Sequence, residues 1–62
     1  MIEVGQIWVC GVIQARVRYV NFTQQILEVE YLDSINTGLF SPQYFLANFT
    51  RLGYYLDFFE AL

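Results

Sequence analysis

Ile13-Gln14-Ala15-Arg16-Val17-Arg18-Tyr19 and Ile26-Leu27-Glu28-Val29-Glu30-Tyr31-Leu32 decide the fold. In the first run the odd positions are apolar (Ile13, Ala15, Val17, Tyr19) and the even ones are Gln14, Arg16 and Arg18. In the second, Leu27, Val29 and Tyr31 alternate with Glu28 and Glu30. A period of two describes strands with one buried face. The charges select the register. Antiparallel pairing that sets Arg18 opposite Glu28 and Arg16 opposite Glu30 also sets Val17 opposite Val29 and Tyr19 opposite Leu27. Phe22-Thr23-Gln24 is then a three-residue loop. A slip of one residue puts arginine against apolar side chains and turns one strand's apolar face to water. Two such cross-strand pairs contribute about 0.2–1 kcal/mol each, so they set register more than stability.

Outward from this hairpin the chain reads as further short strands. Ile2 to Cys10 is β-rich, with Gly5 marking a turn or bulge near its start and Gly11 closing it. Downstream, Asp33-Ser34-Ile35-Asn36-Thr37-Gly38 is turn chemistry, with Gly38 suited to a positive φ. A short strand, Leu39-Phe40, follows. Ser41-Pro42 reads as an N-cap with proline at the first helical position, opening one or two helical turns near residues 42 to 49. Thr50 to Tyr55 reads as a last strand. The expected fold is mainly all-β: about five strands in a small barrel, with one short helical turn before the last strand. Residues 1–53 form the barrel and 54–62 an aromatic, acidic tail that serves as an interface, with a second copy or a foreign partner, or folds back to cap the open end of the barrel. Within that tail Tyr55, Phe58, Phe59 and Leu62 fit a helical stripe, while Leu52, Tyr54, Leu56 and Phe58 alternate as a strand. The two readings stay open.

Composition bounds the function. The chain has 62 residues, three arginines against six carboxylates, a net charge of -3, and neither His nor Lys. Imidazole bases, Cys/His zinc clusters, lysine Schiff bases and P-loops are therefore absent from the repertoire. Hydrophobic residues make up 56% and charged residues 15%, well below the roughly 25% of an average soluble domain. Ordering a chain of this length costs about 90 kcal/mol, which demands nearly all the apolar area so small a core can bury. Small scaffolds commonly add disulfides, a metal or an interface. A lone Cys10 and no His leave association as the expected supplement, so a homo-oligomer or a protein partner is anticipated. The N-terminal stretch has no export signal pattern and no apolar run spans a bilayer, which points to the cytoplasm and away from membranes.

The Gly5-Gln6-Ile7-Trp8 strand, the hairpin of Arg16-Val17-Arg18-Tyr19-Val20 with Val29-Glu30-Tyr31, and Phe45-Leu46-Ala47-Asn48-Phe49 followed by Arg51-Leu52 share one spacing pattern. It resembles that of short SH3-like β-barrel proteins of phage and mobile-element origin. The resemblance covers residues 4 to 53. It implies a cytoplasmic accessory protein that binds and blocks a host protein, such as a defence component.

Read for chemistry, the residues favour a non-enzyme without cofactor. Glu28 and Glu30 sit two apart on one strand face, but with the arginines set opposite them they read as a solvated charge ladder rather than an acid–base pair. Cys10 lies in an apolar run as an inert thiol. Arg16, Arg18 and Arg51 are the candidate nucleic-acid contacts, opposed by an acidic chain that repels polyanions. Sequestration of a small ligand in an aromatic-lined pocket of a barrel or oligomer is a further reading. Aromatic side chains are enriched at interface centres. The expected protein-interface residues are accordingly Trp8, Tyr54, Tyr55, Phe58, Phe59 and Leu62, with Asp57 and Glu60 steering a basic target.

Overall fold

The structure, a computed structural model, describes residues 1–53. It is mostly β: β1 (Ile7–Cys10), β2 (Ile13–Asn21), β3 (Ile26–Tyr31), β4 (Thr37–Phe40), α1 (Pro42–Asn48) and β5 (Thr50–Gly53). The strands form one antiparallel sheet in the order β4-β3-β2-β1-β5. The sheet is not closed into the expected barrel, because β4 and β5 end it on opposite sides. The core does not need closure. α1 and the N-terminal residues cover the inner face, placing Phe45, Phe49 and Ile2 in one cluster with Trp8, Ala15, Val17, Leu27 and Val29.

The first strand is shorter than its composition suggests. Gly5 takes a φ of 97° in a turn, so Ile2 drops into the core by itself and β1 starts only at Ile7. Gly11, at φ 62°, opens the two-residue connection Gly11-Val12 between β1 and β2. A positive φ at the first central position alone is the type II′ pattern, whose twist matches the flanking strands.

The central hairpin follows the charge register for half its length. Arg16 faces Glu30 and Val17 faces Val29 as expected, and then a bulge intervenes. Beyond it Tyr19 pairs with Glu28, Val20 with Leu27 and Asn21 with Ile26, so Arg18 does not face Glu28 and Tyr19 does not face Leu27. The loop is Phe22 to Gln25, one residue longer than expected, with Gln25 at φ 60° and the Asn21 side chain accepting from the Gln24 amide at 3.0 Å. The extra loop residue shifts the pairing by one, and the bulge at Arg18 absorbs the shift. Its consequence is an inversion of facing. Val20, not Tyr19, packs toward the core opposite the fully buried Leu27, and Tyr19 turns out to 44% exposure.

Gly38 also differs from expectation. It lies within β4 opposite Val29, without a positive φ, and what it supplies is space. A Cβ built there would meet the Tyr31 Oη at 2.4 Å, Cζ at 3.0 Å and Phe40 Cε2 at 3.1 Å. Gly38→Ala should therefore displace the Tyr31 ring and cost about 1–2 kcal/mol in a denaturant titration. In a Tyr31→Phe background, which removes the nearest atom, the same change should cost measurably less. Equal costs in both backgrounds would mean the ring does not set the limit.

α1 is short and well capped. Ser41 Oγ accepts from the Tyr44 amide at 3.2 Å, Pro42 occupies the first turn, and the Phe49 amide donates to the Phe45 carbonyl at 2.8 Å. This helix delivers Phe45 and Phe49, four residues apart, onto the same face. Their rings stack at 4.3 Å, and Phe45 meets Trp8 at 5.3 Å and Phe40 at 5.6 Å. The tail, Tyr54 to Leu62, lies outside the described residues.

Candidate interaction surface

Directly opposed residues share a sheet face, so the registers define the outer face, away from α1. One row crosses all five strands: Thr37, Glu30, Arg16, Ile7 and Gly53. A second row is Leu39, Glu28 and Tyr19, with Ile26 and Asn21 beyond it. The first row carries the Arg16–Glu30 ion pair, in which Nε and Nη2 both reach one carboxylate oxygen. With about a quarter of each side chain in contact with water, the pair is worth under about 1 kcal/mol. Its service is to pin register at the centre of the sheet.

The second row is apolar at both ends. Leu39 is 72% exposed and Tyr19 44%, while Ile26 beside them keeps 38%. Phe22, in the loop that closes the hairpin, is also exposed. Asn21 Nδ2 donates to the Tyr19 hydroxyl at 3.2 Å, which orients the ring over this face. Three adjacent strands thus present Leu39, Tyr19 and Ile26 around Glu28. None of these apolar residues was anticipated as surface. The signal lay in Tyr19-Val20, two consecutive apolar residues that fit the alternation in either frame.

The anticipated residues fall elsewhere. Trp8 is in the core at 6% exposure, against Phe45, with its indole N–H donating to Gln6 Oε1 at 3.0 Å. Almost none of its ring remains for a partner. The other proposed contacts, Tyr54, Tyr55, Asp57, Phe58, Phe59, Glu60 and Leu62, lie outside the described residues. The three arginines are not gathered onto one face. Arg16 is on the outer face with Glu30, Arg18 is exposed at the bulge, and Arg51 pairs with Trp8 across β1 and β5. Glu28 and Glu30 do share a face, with Glu30 bound to Arg16 and Glu28 between Tyr19 and Leu39. Cys10 is half-buried and packs against the core.

A cleft of about 300 Å³ is lined by Val12, Gln14, Leu32 and Asp33. Among the described residues no aromatic ring lines it. Among the described residues no helix is long and apolar enough to cross a membrane. The chain matches no protein-family model, and no curated protein or solved structure matches it either.

Proposed function

We propose that this chain is a non-catalytic protein-interaction module with an SH3-like arrangement of strands. The support for the arrangement is the strand order, with β5 returning beside β1 and a single helical turn between β4 and β5. The observation that carries the function is the exposed apolar group Leu39, Tyr19 and Ile26 on the outer face. Aromatic and aliphatic anchors clustered on a flat strand surface are what a protein partner desolvates. Following the phage-type resemblance, the partner is a host protein whose working surface is blocked sterically. An acidic chain, with Asp57 and Glu60 in its tail, steers toward a basic target.

The test is co-purification from host lysate of the full chain and of a Tyr19→Ser/Leu39→Ser double variant. Both substitutions are at exposed positions and should leave the thermal midpoint nearly unchanged. One defined partner should bind the native chain, and the variant's affinity for it should fall about 30-fold or more, equivalent to roughly 2 kcal/mol of lost anchor contacts. Undiminished binding by the folded variant would move the interface off this face. Retention of DNA or RNA at low salt, lost steeply at moderate salt, would instead favour a nucleic-acid-binding barrel.

A further inference from the structure

β4 ends the sheet, paired with β3 on one side and, among the described residues, with no strand on the other. Two hydrogen bonds fix which way its backbone groups point. The Tyr31 amide donates to the Asn36 carbonyl at 3.2 Å, and the Leu32 amide donates to the Gln14 carbonyl at 3.0 Å. Successive residues of a strand turn their N–H and C=O to opposite sides. Tyr31, Val29 and Leu27 therefore bond toward β4, and Gly38 and Phe40 bond back to β3. Thr37 and Leu39 turn their N–H and C=O outward, and both residues are exposed, Leu39 at 72%. Such an edge is normally blunted by lysine, proline, a bulge or an inward charge. Thr37-Gly38-Leu39-Phe40 has none of these, and its register with β3 is unbroken. At the opposite edge of the sheet, β5 carries the exposed Arg51.

We propose that the β4 edge pairs with the same edge of a second copy of this chain, antiparallel about a two-fold axis at Gly38. The self-complementarity of the strand selects this occupant. With the two Gly38 residues opposed, Thr37 of each copy meets Leu39 of the other, and every outward N–H and C=O of both strands is paired at once. Neither neighbouring register does this. Centring the axis on Leu39 brings in Ser41, where the chain has turned into α1 and the carbonyl accepts the Phe45 amide at 3.0 Å. Centring it on Thr37 brings in Ile35, in the bend outside the strand. Gly38 also suits the axis sterically. Opposed residues that exchange no hydrogen bonds stand closest, about 4.5 Å between Cα atoms. A side chain at Gly38 would collide there with the Tyr31 ring of its own copy.

Charge permits the approach although each chain carries -3. β4 has no charged side chain, and the carboxylates facing it, Glu28 and Glu30, stand one strand back on β3. Across the pair the two β3 strands lie about 14 Å apart, beyond the Debye length of about 8 Å at physiological salt. A two-fold contact closes at the dimer, whereas β4 against β5 of another copy would propagate head to tail. The pairing supplies an interface that so small a core benefits from, and it sets the two Leu39 side chains diagonally across the axis on the outer face. It requires no host partner, so it stands or falls separately from the blocking role.

The experiment uses the full chain. Sedimentation equilibrium from about 10 μM to about 1 mM covers the affinities of a contact smaller than a standard interface. The mass should rise from 7.3 kDa toward twice that value and no further. In a mixture of 13C-labelled and unlabelled chains, isotope-filtered spectra should show cross-relaxation between Gly38 Hα protons of the two copies. Leu39→Lys puts like charges diagonally across the axis and should raise the dissociation constant about 10-fold or more. Leu46→Lys, at an exposed position on α1, should leave it unchanged. A chain that stays at 7.3 kDa throughout overturns the proposal, as does a mass that grows past the dimer. So does a dimer whose intermolecular contacts omit Gly38; contacts at Tyr19 in their place would make the outer face the self-interface. If Leu39→Lys does not fold, the mass and spectrum of the native sequence decide the matter.

Discussion

Phe45→Ala leaves the chain largely unfolded at room temperature. Phe45 is fully buried, stacks on Phe49 at 4.3 Å, and touches Trp8 and Phe40 as well, so it joins α1 to both β1 and β4. Truncating such a ring costs about 3–5 kcal/mol, from lost transfer energy and from the cavity left behind. A chain of 62 residues has a total stability of about 3–9 kcal/mol at typical per-residue values. The loss therefore approaches the whole margin. Leu46→Ala, one residue along on the exposed side of α1, should change stability by less than about 1 kcal/mol. Far-UV and near-UV circular dichroism of the two variants make the comparison. A cooperative transition for Phe45→Ala within about 1 kcal/mol of the native chain would show that α1 does not hold the inner face.

Gln6→Leu should cost about 2–3 kcal/mol although it adds an apolar side chain to an apolar site. Gln6 is a buried polar side chain at 1% exposure, and every polar atom it has is used. Oε1 accepts from the Glu3 amide at 2.9 Å and from the Trp8 indole at 3.0 Å, while Nε2 donates to the Met1 carbonyl at 3.0 Å. Leucine leaves the buried indole N–H without an acceptor, and a buried unsatisfied donor costs about 1–3 kcal/mol. It also releases the N-terminal turn that carries Ile2 into the core. Urea titration followed by Trp8 emission reports both effects, since the indole would gain contact with water as the turn opens. A midpoint equal to that of the native chain would mean that Ile2 alone anchors the turn.

The hairpin shows how much of the fold was legible. Arg16 opposite Glu30 and Val17 opposite Val29 followed from alternation and charge, and Ser41-Pro42 marked the start of α1. The other half of the hairpin was not legible, because a four-residue loop with Gln25 at positive φ and a three-residue loop differ by little in local preference. That one residue reversed the facing of Tyr19 and Val20, and with it the location of the exposed apolar group. Trp8 illustrates the same limit for the site. An aromatic residue reads equally as an anchor for a partner or for the core, and only the arrival of Phe45 from α1 and Gln6 from the N-terminal turn makes it the latter.

By itself the sequence determined the element types, a mostly β chain with one capped helical turn, and the residue classes that exclude imidazole and lysine chemistry. These are local properties, set by alternation, capping and composition over a few neighbouring residues. The tertiary structure decided that the sheet stays open, that Gly38 makes room for Tyr31 rather than for a turn, and that Leu39 and Tyr19 meet on the outer face while Ile7 on that face is buried. Those outcomes depend on which strands lie side by side and in what register. Register is fixed by loop lengths and bulges whose energies differ by a fraction of a kcal/mol in isolation and become decisive only when a shared core must be filled.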